Sequence, residues 1–353
     1  SFVVVSIRLV EGRKGDPMLK LMHIAHGTPH PEIWTGVFRK ALAEVGELTL
    51  IENGGARDEA ERLALIQGTE VLLLGWGTSP VPAAVARDPG ALRYLCNITG
   101  EMKQWVSPEI VDSDVRVTNW GDAPASSVAE GAMTLLLAVL KDLHQQIQTI
   151  HHDGWNLDRT FTGGSIDGLN VGIYGCGLIG RAFIELIRPF RPVLRVFDPY
   201  AADVPAGCER VANLEELFGA SEAVVIHAGL TPETRHTVTA DLLRRLPRHG
   251  VVINTARGGI IDQEALFAEL ASGRLRAGLD VLDPDTLPTG HPARCWENCI
   301  LTAHHVSRSW PTDGEPPVRL DAMHRVCLDN VRRYAAGASL RFVIEPTVYR
   351  RQT

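Results

Sequence analysis

His304 in LTAHH (301–305), Arg257 in INTARGGIID (253–262) and the aspartates of LDVLDPDTLP (279–288) are the residues whose types could do chemistry. An imidazole gives and takes a proton near neutral pH. A guanidinium offers a planar fork of donors that suits a carboxylate with a keto oxygen beside it. A carboxylate can hold an imidazole in one orientation. Each has a plainer reading. Asp and Pro are common turn formers, and an arginine in a glycine-rich loop can simply be solvated. What surrounds the three segments decides between these readings.

The strongest local motif is VGIYGCGLIGRAF (171–183), with Gly175, Gly177 and Gly180 spaced as G-x-G-x-x-G. Glycines at this spacing permit a tight turn, close approach of backbone to a pyrophosphate and close packing of helix on strand. The backbone N–H groups of Leu178 and Ile179 would face the phosphates. An apolar strand ends at the motif and a helix opens from it. Asp198 ends the next strand, eighteen residues after Gly180, where a carboxylate accepts from the adenosine ribose hydroxyls and repels a 2′-phosphate. Pro199 and Tyr200 follow, with no adjacent arginine, so NAD is expected over NADP. A simple strand-end cap is the alternative for Asp198. Arg257 falls just past the end of another strand, where ligands sit in such sheets, and Asp262 reads as a helix N-cap.

The elements that must position these residues are legible as a rhythm. Strand-like runs at 22–27, 48–54, 71–77, 94–99 and 116–121 alternate with helical stretches such as 31–45 and 57–67. A long helix is expected from Ser126 to Ile150, because Val128, Leu135, Val139, Leu143 and Ile147 recur on one face. A second series follows at 169–175, 193–198, 223–228, 250–256, 277–281 and 299–304, then a helix over 318–336. Such alternation predicts an α/β protein with two doubly wound parallel-sheet domains. The expected boundaries are 18–122 with 316–353 for one domain and 123–315 for the other. The helices near 126–150 and 318–336 would bridge them as a hinge. Residues 1–17 read as a leader or an expression remnant, since Met18 precedes the first convincing strand. Their apolar run is too short for a membrane helix and lacks a cleavage site.

Taken together, VGIYGCGLIGRAF, HAGLTPETRHTV, VVINTARGGIIDQEALFAEL, AGLDVLDPDTLPTGHP and ILTAHH, in this order, resemble the D-isomer-specific 2-hydroxyacid dehydrogenases. The resemblance covers most of residues 70–353. It implies a central Rossmann NAD domain inserted in a flavodoxin-like substrate domain, with the active site in the cleft. It also implies a cytoplasmic homodimer and a small 2-oxo or 2-hydroxy acid as substrate. The family's substrate-binding arginine falls on Arg257 and its acid/base histidine on His304. Asp285 stands where the family has a glutamate. Asp280 matches a position near the nicotinamide, Thr255 and Ala256 fall beside the cofactor, and Asp283 belongs to the turn. His227 is structural or cofactor-adjacent. In reduction, His304 would donate a proton to the keto oxygen while Arg257 holds the carboxylate and stabilises developing charge.

Departures bear on substrate choice. Asp285 is shorter than glutamate by one C–C bond, about 1.5 Å. The loop NITGEMKQW keeps Gly100, whose neighbouring amides could hold a carboxylate, but sets Glu101 beside it. Trp76 either walls the substrate pocket or lies in a core. Ala303 stands in place of the family's usual proline. His305 would face away from His304 if the strand continues, and Arg308 could favour a dianionic substrate or be merely solvated. A catalytically weak NAD(H)-sensing protein of the same fold is the competing reading. A formate-dehydrogenase-like one lacks its Gln-Pro-His-Trp setting.

Composition narrows the field further. A net charge of −7 without a dense Lys/Arg run argues against nucleic acid or anionic membrane as partner. The six cysteines (Cys96, Cys176, Cys208, Cys295, Cys299 and Cys327) are scattered, and Cys295 and Cys299 have no second ligand pair. No metal is therefore expected, and the thiols read as reduced.

Overall fold

The computed structural model describes residues 4–7, 18–100, 102–152, 154–155, 164–307 and 320–351. The chain divides into two compact units, residues 1–124 with 310–353 and residues 125–309.

In the first unit, short apolar runs form β1 (Val4–Ile7), β2 (Leu19–Ile24), β3 (Gly46–Ile51), β4 (Val71–Leu74), β5 (Tyr94–Asn97) and β6 (Arg116–Thr118). They lie in the order β1-β3-β2-β4-β5-β6. Strands β2 to β6 pair in parallel, and β4 and β5 are buried at every position, as strands covered on both faces must be. β1 runs antiparallel to β3, with Val4 opposite Ile51. Residues 4–7, within the segment read from sequence as a leader, thus supply backbone groups that cover the edge of β3.

The helix Ala322–Ala335, from the far end of the chain, buries Cys327, Leu328 and Val331 against Phe38, Leu42 and Leu73. It is part of this unit's core. His324 fixes it by donating from Nε2 to the Ile33 carbonyl (2.8 Å), with Nδ1 2.9 Å from Asp321 Oδ1. His23, near the C-terminal end of β2, donates from Nδ1 to the Leu73 carbonyl at 3.0 Å, and burial pushes its imidazole down to about 4.

The second unit contains β7 (Asn170–Tyr174), β8 (Val193–Phe197), β9 (Cys208–Arg210), β10 (Ala223–Ile226), β11 (Val251–Asn254), β12 (Arg276–Leu279) and β13 (Cys299–Leu301). The order is β13-β12-β11-β10-β7-β8-β9, and every pair is parallel. Six strands were expected; β9 is the seventh. Its three residues are half-buried or exposed and carry no apolar run, so nothing in the sequence marked it.

The long helix expected from Ser126 to Ile150 is two helices, Ala125–Leu140 and Leu143–His151. The break has a specific cause. Asp142 adopts φ 50° and turns its carboxylate to buried Arg276 on β12, 3.1 Å away, while the same guanidinium donates to the carbonyls of Val139 and His249. An arginine buried in a sheet needs a charged or carbonyl partner for each donor, and a straight helix could not have supplied them. Parallel strands place all their C-terminal ends at one edge, and the segments that follow β7, β8, β10, β11, β12 and β13 carry the residues considered next.

Candidate active site

The three glycines after β7 are needed for three different reasons. Gly175 has φ 99°, and a Cβ there would lie 2.5 Å from the Ala228 nitrogen. At Gly180 a Cβ would meet the Gly175 carbonyl oxygen at 2.1 Å, so only glycine lets the helix sit this close to the strand. Gly177 has nothing within 4 Å: its side chain is missing where an outside group can approach. The helix Leu178–Ile187 starts at Gly177 without a side-chain cap, which leaves the N–H groups of Leu178 and Ile179 for an anion. The turn fits a dinucleotide pyrophosphate.

Asp198 caps the end of its strand and reaches back to the glycine turn. Its Oδ1 accepts from the N–H groups of Tyr200 (2.8 Å) and Ala201 (3.0 Å), capping the end of β8. Its Oδ2 accepts from the Cys176 N–H at 2.7 Å, which locks the carboxylate against the glycine turn. The Tyr200 hydroxyl reaches Glu233.

At the ends of the neighbouring strands lie buried polar atoms without a hydrogen-bond partner among the described residues: both ring nitrogens of His227 and Thr255 Oγ1. Orphaned groups of this kind are what a bound ligand satisfies. Burial pushes the His227 imidazole down to about 3, and its ring packs on Phe183 with centroids 5.1 Å apart. That burial favours the neutral ring.

Asn254 shapes the loop that carries Arg257. It accepts from the Ala256 N–H (3.0 Å) and donates to the Arg257 carbonyl (3.0 Å). The Arg257 side chain is exposed, with one donor on the Ala256 carbonyl at 2.8 Å. Gly258 then presses on the aspartate-rich segment: a Cβ there would lie 2.0 Å from the Leu282 carbonyl carbon and 2.6 Å from the Asp283 nitrogen. Asp262 caps the helix Gln263–Ala271 by accepting from the Ala265 N–H, as expected.

The aspartates of LDVLDPDTLP have three separate tasks. Asp283 pairs with Arg235 at 3.1 Å. Asp285 accepts the Leu282 N–H on Oδ1 (3.0 Å) and places Oδ2 2.5 Å from His304 Nδ1. The shorter side chain therefore does reach the histidine, and both groups stay about half exposed, at 45% and 51%. Asp280 is only 3% exposed and accepts on Oδ1 from Thr302 Oγ1 (2.6 Å), His305 N–H (2.8 Å) and Val306 N–H (3.0 Å). β13 ends at Leu301, and Ala303 and His304 have φ 51° and 61°. The strand alternation expected for His305 therefore does not apply; its backbone belongs to the Asp280 anchor.

Trp76 and Gly100 lie in the first unit. Trp76 is 36% exposed, so it is not a core residue, and it lines a cavity of about 480 Å³ with His26, Thr78, Gln104 and Trp105. Its ring meets those of His30 (5.5 Å) and Trp120 (6.5 Å) edge-on. A Cβ at Gly100 would lie 2.5 Å from Trp120 Nε1, so this glycine makes room for an indole that sequence reasoning passed over. Glu101 and Arg308 lie outside the described residues. Among the described residues, no group of three or more His, Cys, Asp or Glu could hold a metal, and no helix is long and apolar enough to cross a membrane.

The model of the D-isomer specific 2-hydroxyacid dehydrogenase NAD binding domain matches residues 133–306. A D-3-phosphoglycerate dehydrogenase of Methanocaldococcus jannaschii is 30% identical over 273 residues, covering 75% of this chain and 50% of that protein. A human glyoxylate reductase/hydroxypyruvate reductase is 31% identical over 202 residues, covering 56% of this chain and 62% of the relative. The chain thus spans between half and two thirds of the length of these two curated relatives. The solved structure of a D-2-hydroxyisocaproate dehydrogenase shares the fold, with a TM-score of 0.74 and 21% identity, over 92% of this chain and 99% of that one.

Proposed function

We propose that the chain, whose residues 133–306 match the NAD binding domain of the D-isomer specific 2-hydroxyacid dehydrogenases, is an NAD-dependent oxidoreductase interconverting a small 2-oxo acid and its D-2-hydroxy acid. The observation that carries the proposal is the contact of His304 Nδ1 with Asp285 Oδ2 at 2.5 Å, within the same unit as the glycine turn and Arg257. With Nδ1–H given to the carboxylate, Nε2 is left as the atom that exchanges a proton with substrate. In reduction, Nε2–H donates to the keto oxygen. Arg257 holds the substrate carboxylate and stabilises charge as it develops on that oxygen. Oxidation uses neutral Nε2 as base.

NADH, when bound, supplies the hydride for the keto carbon. The turn at Gly175, Gly177 and Gly180 with the amides of Leu178 and Ile179 would hold its pyrophosphate. Asp198 would hold the adenosine ribose and disfavour a 2′-phosphate. Thr255, Ala256 and Asp280 are the proposed residues nearer the nicotinamide. The first unit is the proposed substrate domain, with Trp76 and Gly100 its proposed substrate-binding residues.

A homodimer through the second unit is supported by the helix Leu143–His151, which buries none of its residues and exposes Leu143, Ile147 and Ile150 on one face. Apolar stripes of this kind are commonly covered by another chain. Sedimentation equilibrium is expected to give twice the chain mass, and Ile147→Asp to shift it to the monomer. The proposed compartment is the cytoplasm, in keeping with six free thiols.

The direct test follows NADH absorbance with glyoxylate, hydroxypyruvate, pyruvate, oxaloacetate and longer 2-oxo acids. Turnover with at least one acid, and slower turnover with NADPH, is the expected result. Tight NADH binding with no turnover across the panel would point instead to a cofactor-sensing protein of the same fold.

A further inference from the structure

We propose that Asp280 is a positioning residue, holding His304 on Asp285 through a left-handed turn at Ala303 and His304; the proposal rests on the acid/base role given to His304 above. Ala303 (φ 51°) and His304 (φ 61°) both occupy the left-handed region. For residues with a Cβ this region is strained, so two in succession persist only where surrounding contacts hold them.

Asp280 makes those contacts, and it makes them on both sides of the turn. Its Oδ1 takes the Thr302 hydroxyl before the pair and the His305 and Val306 N–H groups after it, at 2.6, 2.8 and 3.0 Å. Its own carbonyl takes the His304 N–H at 2.6 Å. The other half of the catalytic contact hangs from the same segment, because Asp285 Oδ1 accepts the Leu282 N–H. Residues 280–285 are thus one platform, with His304 tied to its start and the carboxylate to its end. The loop has a second support at Val306, which sits on the helix Ala125–Leu140 at Gly131, where a Cβ would lie 2.7 Å from Val306 Cγ1.

The turn dictates what residue 303 can be. Proline fixes φ near about −65° and cannot enter it, whereas glycine adopts it freely. The same logic separates two roles for Asp280. A contact to the cofactor sets NADH affinity, whereas an anchor for the turn sets proton transfer, and Asp280 does the second whether or not it also does the first.

The test uses the full chain with Asp280→Ala, Asp280→Asn, Ala303→Pro and Ala303→Gly. Three readouts are needed: NADH affinity by fluorescence titration, kcat and KM with the best 2-oxo acid, and the His304 Nδ1 proton by nitrogen-edited NMR. Asp280→Ala and Ala303→Pro are expected to lose the Nδ1 proton signal and to lower kcat about 10²-fold, the cost of a misplacement near 1 Å. Ala303→Pro should leave NADH affinity within about twofold, since residue 303 is not among those assigned to the cofactor. Asp280→Asn keeps an oxygen acceptor and is expected to retain the signal, as is Ala303→Gly.

An Asp280→Ala protein that binds NADH weakly yet keeps the Nδ1 signal and its kcat at saturating NADH would overturn the proposal in favour of a cofactor contact. If Asp280→Ala does not fold, equal kcat values for Ala303→Pro and Ala303→Gly would overturn it. Should the wild-type protein turn over no substrate at all, the proposed activity fails, but the NMR signal still decides whether the turn positions His304.

Discussion

Replacing His304 with alanine is expected to lower kcat about 10³-fold at saturating substrate, within the range a positioned general acid contributes. NADH affinity should change little, because His304 lies beyond β13 and none of the groups assigned to the pyrophosphate or ribose touches it. The size of the effect follows from the geometry: the Nδ1–Asp285 contact at 2.5 Å leaves only Nε2 to move the proton. Asp285→Asn should cost less, about 10-fold to 10²-fold, because an amide oxygen can still accept from Nδ1–H but carries no charge. Asp285→Glu is expected to lower activity as well. The aspartate already touches the ring, so an extra C–C bond of about 1.5 Å has no room without displacing the turn. Steady-state NADH oxidation checks all three variants. A His304→Ala protein within threefold of wild type would remove the histidine from the mechanism.

What the sequence could and could not disclose divides along physical lines. The glycine turn, Asp198 at the end of β8 and Asp262 as a helix cap were legible because their requirements are local: a spacing, a strand end, a helix start. The parallel sheets were legible from the alternation of apolar runs, although β9 carried no such run and was missed. The break at Asp142 was not legible, since its cause is Arg276, more than a hundred residues away in the chain and buried in a strand. The aspartates of LDVLDPDTLP could be sorted only in part. Asp285 was placed against His304 by resemblance, but whether a shorter side chain would reach was a question of backbone conformation. The answer lies in two positive φ values at residues with side chains, for which sequence offers no signal beyond the absence of proline at 303. Trp120 escaped notice because its role depends on packing over Gly100, a contact between a strand end and a loop that no periodicity records.

Gly258→Ala is expected to lower kcat/KM about 10³-fold, more than a single misplaced group near 1 Å would account for. The reason is that this glycine joins two parts of the site. A Cβ there would lie 2.0 Å from the Leu282 carbonyl carbon, 2.1 Å from its oxygen and 2.6 Å from the Asp283 nitrogen. All three atoms are backbone, so no rotamer change relieves the overlap and one of the two segments must move. If the 257–258 loop moves, the Arg257 fork leaves its place; if 282–283 moves, Asp285 is carried off His304. Gly259 supplies the internal control. Its Cβ would meet only the far ends of side chains, Asp283 Oδ2 at 3.0 Å and Arg235 Nη1 at 3.2 Å, with Leu230 Cδ2 at 3.3 Å. Those ends can give, so Gly259→Ala should stay within about threefold of wild type, in the manner of substitutions that touch no buried backbone. Kinetics and thermal melts of the two variants side by side separate loss of the site from loss of the fold. If Gly258→Ala kept kcat/KM within tenfold, residues 282–285 would be able to shift without taking the carboxylate with them, and the platform that ties Arg257, Asp285 and His304 together would not exist.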